Sequence, residues 1–142
     1  REFGATLTLN RRELSLEDRK QAIMDKTRGR GVDFVVEAVG DPSAVHEGIK
    51  LVRSGGAYVS IGFSQPPGNC QIDFFQEVVS KNLKIQGVWV SGTRHTWQAM
   101  KLVLERPELF ARMITHRFSL EQANEALAAM AQRDALKAVL VP

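Results

Sequence analysis

No window of the 142 residues approaches the ~18 apolar residues of a membrane span, and no secretory signal opens the chain. There is one cysteine, Cys70, so an intramolecular disulfide is excluded and a reducing, cytoplasmic setting is expected. Excess charge is small: 19 lysines and arginines against 16 aspartates and glutamates leave a net +3, and Lys26, Arg28 and Arg30 form the densest basic group. That group reads as a solvated helix end, because a nucleic-acid surface needs a basic stripe interleaved with aromatics. No G-x-x-x-x-G-K-[ST] loop occurs, which excludes a P-loop nucleotidase. Metal ligands are few as well. Cys70, His46, His95 and His116 lie far apart without paired spacing, so each reads as a surface or packing residue. Ser54 and Ser60 lack the turn of an activated nucleophile.

What is present is an alternation of two patterns. Short β-rich runs fall at Thr6 to Leu9, Val32 to Val39, Ala57 to Gly62 and Leu83 to Val90. Between them lie helical stretches with capping signals. Ser15-Leu16-Glu17-Asp18 places a hydroxyl and two carboxylates where a helix begins, and Gly29 follows the basic end. Asp41-Pro42 opens a second helix, on which Val45, Ile49 and Val52 share a face before Gly55-Gly56 stops it. Phe74 to Val79 and Trp97 to Leu104 read as further helices. Ser119 to Gln122 is a capping box leading into a stripe of Leu120, Ala123, Leu127 and Met130. "ALKAVLVP" closes the chain as a buried strand. Phe34 to Val36 is apolar on both alternating faces, as expected for a parallel strand covered by helices on each side. Residues 1–142 therefore read as a single α/β domain of the doubly wound type.

Such folds grip a dinucleotide with G-x-G-x-x-G between a strand and a helix. The only G-x-G here, Gly29-Arg30-Gly31, follows a helix and precedes a strand, so it reads as a helix stop. Taken alone, the residues contain no complete active site.

Several segments, in order, are informative together: "REFGATLTLN", "GVDFVVEAVG", "GIKLVRSGGAYVSIGF", "NLKIQGVWV" and "ALKAVLVP". They resemble the nucleotide-binding domain of the zinc-dependent medium-chain alcohol dehydrogenases, which include threonine and sorbitol dehydrogenases. The resemblance implies a truncated Rossmann-type doubly wound parallel sheet lacking its first two strands. The glycine turn, the catalytic domain and the zinc ligands are then expected upstream of Arg1. Strand order 3-2-1-4-5-6 would leave the strand near Leu9 without a neighbour and the inner edge of Phe34 to Val36 open.

The same resemblance implies cofactor contacts. Ala38, Val39 and Gly40 would border the ribose of NAD or NADP. Ile61, Gly62 and Phe63 would lie beside the nicotinamide, with glycine at 62 permitting close approach. Val88, Trp89 and Val90 would dock the carboxamide through their backbone, and Lys137 would approach the pyrophosphate. No catalytic residue and no zinc ligand is assigned within the chain. The implied parent transfers hydride between an alcohol or polyol and the nicotinamide, as a homodimer or homotetramer paired through the edge near Leu83 to Val90. The fragment alone would be inactive. A zinc-free quinone reductase, a methyltransferase-like domain and a stand-alone nucleotide-binding module stay open beside this reading.

Overall fold

A computed structural model describes residues 2–63 and 68–142. The described residues fall into two compact units, one ending at Val90 and one spanning Ser91–Pro142.

In the first unit, α1 (Leu16–Lys26) starts at the expected capping box: Ser15 Oγ accepts from the Asp18 amide, and Asp18 Oδ2 accepts from the Ser15 amide. Gly29, at φ +75°, closes the helix by donating its amide to Met24 O. β1 (Val32–Glu37) follows, then α2 (Pro42–Leu51), capped by Asp41, and β2 (Val52–Ser60). A π-helical turn at Phe74–Val79 leads to β3 (Lys84–Gly87). The three strands are parallel in the order β1-β2-β3.

Register assigns the faces. Phe34 pairs with Ala57 and Val36 with Val59, while Val35 pairs with Tyr58 and Glu37 with Ser60. Val35, Tyr58 and Glu37 therefore share the face against which α2 packs. The core of this unit gathers there: Val45, Ile49, Val52, Tyr58, Val78 and Leu83 are buried, with Phe63, Cys70 and Ile72 packed against them. Val45 and Ile49 share the buried face of α2 as their spacing predicts, whereas Val52, expected on the same helix, begins β2 and reaches the core from there. Gly48 is obligatory beneath it, because an added Cβ would stand 2.7 Å from the Tyr58 ring and 3.1 Å from Val35.

Several expectations are corrected. Residues 6–9 form no strand; no described strand lies beside them to pair with, and β propensity alone does not hold a strand. The strands expected to reach Val39, Gly62 and Val90 end at Glu37, Ser60 and Gly87, so the three stop level with one another. Helix α2 ends at Leu51, ahead of Gly55-Gly56. Those glycines sit inside β2, where Gly55 has φ +72° and a Cβ on Gly56 would meet Asp33 O at 2.9 Å. Phe34 and Val36 are 57% and 52% exposed, so the helices of this unit cover only one of the two apolar faces.

The second unit contains α3 (Thr93–Glu105), α4 (Pro107–Ala111), β4 (His116–Ser119), α5 (Ala123–Gln132) and β5 (Ala138–Val141). A short 3-10 turn at Leu120–Gln122 precedes α5. β4 and β5 pair in parallel across that connection. The capping box at Ser119 forms, with the Ser119 amide donating to Gln122. The predicted stripe is rotated, however: Ala126 is the buried residue, whereas Leu127 is 69% exposed. Small alanines let α5 lie close to β4 and β5, and that close approach selects the alanine face. β4 has no counterpart among the sequence expectations. Its four residues, His116-Arg117-Phe118-Ser119, lack a β-branched run.

Candidate functional site

The level ends of β1, β2 and β3 form the candidate site, since ligands of parallel sheets bind beyond the carboxyl ends of the strands. Here three backbone segments are knotted together. Beyond β1 the chain turns at Gly40, at φ +76°. A Cβ on Gly62 would collide with the Gly40 nitrogen and stand 2.5 Å from Glu37 Oε1. Glycine at 62 is thus required by the fold itself, whatever approaches from outside. Ile61 N donates to Glu37 O at 2.9 Å, and Val88 N donates to Ser60 O at 2.9 Å.

Glu37, which sequence reasoning passed over, is the centre of this junction. It is 3% exposed. Oε1 accepts from the amides of Val39 and Gly40, each at 2.6 Å, and Oε2 accepts from Ser60 Oγ at 2.9 Å. Burial alone would raise its carboxyl. The hydrogen bonds from the Gly40 and Val39 amides, the Ser60 hydroxyl and the Gly62 amide outweigh burial and hold it below the usual glutamate range. The signal was available: one acid within "FVVEAVG" at a strand end is either solvated or held by donors. Below it, burial and the Glu37 charge push the Tyr58 phenol up to about 12. Tyr58 is 1% exposed, and its hydroxyl has no hydrogen-bond partner among the described residues.

The structure brings some predicted site residues together and separates others. Val39, Gly40, Ile61 and Gly62 meet at the junction, with Ala38 and Val39 exposed beside it. Phe63 turns its ring into the core. Val88 is tied to Ser60, while Trp89 and Val90 are 73% and 76% exposed beyond the strand end. Val90 has φ +48°, a costly conformation for a β-branched residue. Lys137 lies in the second unit, its side chain exposed and its carbonyl accepting from the Thr115 and His116 amides.

A cleft of about 270 Å³ opens beside Val36 to Val39, walled on its other side by Leu9, Arg11, Arg19 and Glu47. Arg19 anchors that wall: its guanidinium donates to both Glu47 oxygens, at 2.8 and 2.6 Å, and to Leu14 O at 2.5 Å. The cleft is smaller than the roughly 300–1,000 Å³ of small-molecule pockets, so it is part of a site at most. A larger depression of about 740 Å³, lined by His46, Cys70, Asp73 and Glu77, includes none of the strand-end residues. The strand ends are the candidate site because the sheet's own geometry converges there.

The nicotinamide half of a dinucleotide fits this surface, where exposed Ala38, Val39 and Ile61 offer an apolar wall beside open backbone. The phosphates do not fit α2. Its N-terminus is already occupied by the Asp41 carboxylate, which accepts from the Ser43 amide at 2.8 Å and would repel an anion. Zinc does not fit the described residues either, since no three of their His, Cys, Asp and Glu side chains converge. Cys70 packs against the core, His95 Nδ1 accepts from the Gly92 amide, and His116 stacks on Phe118. Among the described residues no helix is long and apolar enough to cross a membrane.

Comparison with known proteins places this geometry. A family model described as zinc-binding dehydrogenase matches residues 1–105. The chain is 33% identical over 129 residues to 5-exo-hydroxycamphor dehydrogenase of Pseudomonas putida, covering 89% of the chain and 36% of that protein. It is 31% identical over 143 residues to L-threonine 3-dehydrogenase of Bacillus subtilis, covering 100% of the chain and 40% of that protein. A solved alcohol dehydrogenase from Thermotoga maritima superposes with a TM-score of 0.92 at 45% identity, over 99% of this chain and 39% of that one. The chain thus spans about two fifths of the length of these relatives. Its parallel strands and connecting helices are the α/β arrangement of their Rossmann-type portion. The chain belongs to the zinc-binding dehydrogenase family.

Proposed function

We propose that the chain is the cofactor-binding portion of an NAD(P)-dependent oxidoreductase that transfers hydride between an alcohol or polyol and the nicotinamide. One observation carries this reading: three level strand ends, joined through Glu37, Gly40, Gly62 and Val88, offer an open backbone surface where parallel sheets receive their ligands. On this reading the chain forms a single C-terminal domain of a longer protein, and β1, β2 and β3 are the fourth to sixth strands of its sheet. Ala38 to Gly40 border the ribose, Ile61 to Phe63 flank the nicotinamide, and Val88 to Val90 hold the carboxamide. Zinc, the alcohol site and the phosphate-gripping turn belong to parts outside this chain. The dinucleotide supplies the hydride acceptor, and this chain's own part is to orient it.

The exposed edge of β3 and the apolar Ile85, Val88 and Trp89 near it support pairing of parent subunits into a homodimer or homotetramer through that edge.

Fluorescence titration with NADH tests the reading. The full-length protein containing this chain is expected to bind with micromolar affinity, and the 142-residue chain alone at least about a hundredfold more weakly, with no alcohol oxidation. Tight binding or turnover by the chain alone would refute it.

A further inference from the structure

Closing three strand ends together does not require a buried acid. A carboxylate taken out of water is costly unless donors satisfy it, and an apolar or amide side chain would fill the same space. Yet Glu37 is buried and satisfied by neutral donors alone: two backbone amides on one oxygen and the Ser60 hydroxyl on the other. Its backbone carbonyl holds Ile61, and Ser60, through its own carbonyl, holds Val88. Glu37, through its side chain and its backbone carbonyl, and Ser60 as a relay therefore link every unit-one segment assigned above to the nicotinamide half of the cofactor.

The direction of these bonds matters as much as their number. The peptides here are trans, so each carbonyl points opposite to the N–H of the same peptide. The Val39 and Gly40 amides point inward at Glu37. The carbonyls of Ala38 and Val39, which share those peptides, must then point away from the buried carboxylate, on residues that are exposed. An amide that donates to an anion also polarises its own carbonyl, making it a stronger acceptor.

We propose that Glu37 is the positioning residue of the cofactor wall, turning the Ala38 and Val39 carbonyls outward as acceptors for hydrogen-bond donors of the nicotinamide ribose. Ser60 carries the same constraint to Val88. This rests on the cofactor-binding reading above. Glu37 touches no cofactor atom itself; it acts through the peptides it holds.

The test uses the full-length protein containing this chain, with NADH and ADP as probes. ADP shares the adenine half and the pyrophosphate and lacks both the nicotinamide and its ribose. Glu37→Gln preserves side-chain shape and removes the anion. It is expected to lower NADH affinity about tenfold, with ADP affinity changed by less than about twofold. In the amide NMR spectrum the Val39 and Gly40 protons should move upfield. Ser60→Ala, which removes one donor and leaves the backbone intact, should lower NADH affinity by a smaller factor in the same selective way. Unchanged NADH affinity in Glu37→Gln would overturn the inference. So would an equal loss for both probes, which marks general destabilisation, or amide resonances that stay in place. Wild-type protein that binds neither probe would overturn the dehydrogenase reading itself, which is a separate result.

Discussion

Val35 and Tyr58 lie under α2 on one face of the three-stranded sheet, while Phe34 and Val36, their neighbours in sequence or register, stand open on the other. Residues of equal hydrophobicity thus have opposite surroundings within one strand. Apolar character on both faces reports that a strand is built to be covered twice; it does not say where the second cover comes from. In this unit, α2 and the π-helical turn supply the first cover, and the other face has none of its own.

Three measurements break or sharpen this contrast. The largest effect is expected on the covered face. Ile49 is 1% exposed, and Ile49→Ala should cost about 2–5 kcal/mol, read as a fall in the urea midpoint. A smaller, pH-dependent effect should come from the clamp between α1 and α2. The Glu47 carboxyl is held below its usual range, first by the hydrogen bond from Arg19, against burial, and further by the charges of Arg19 and Arg11. A group whose folded value is depressed stabilises fully above its unfolded value, about 4.3 for glutamate, and loses that contribution as pH falls through the folded value. Wild type should therefore exceed Glu47→Gln in stability at pH 7, and the gap should narrow below about pH 4. A gap independent of pH would show that packing, not charge, makes the clamp. The smallest effect belongs to the open face, where Phe34→Ser should change stability by no more than about 0.5 kcal/mol. If it costs as much as Ile49→Ala, the open face is covered after all.

Much of the fold was legible because its signals are local. The capping box at Ser15, the Asp41-Pro42 start, the glycine after α1 and the buried pair Val45 and Ile49 each depend on neighbours within a few residues. What failed was whatever depends on partners distant in sequence. Thr6 to Leu9 carries strand propensity and finds no partner. The ends of β1, β2 and β3 are set by one another rather than by their own residues. On α5 the alanine face won over the leucine stripe because close approach to β4 and β5 outweighed side-chain size. The site divides the same way. Gly40 and Gly62 were visible as glycines at strand ends, but their mutual contact was not. Glu37 stood out in the sequence as an acid at the end of an apolar strand, but its donors, in the turn after β1 and on β2, are seen only in the fold.

The free edge of β1 has a consequence for anyone handling the polypeptide. Among the described residues no strand occupies that edge, and Phe34 beside it is largely open to water. Unspent amides next to an aromatic ring promote sheet-to-sheet sticking that rises with concentration, well before the molecule unfolds. Colloidal behaviour, rather than melting, should therefore set the working range of the purified chain, and dilution should restore clear solutions that cooling does not.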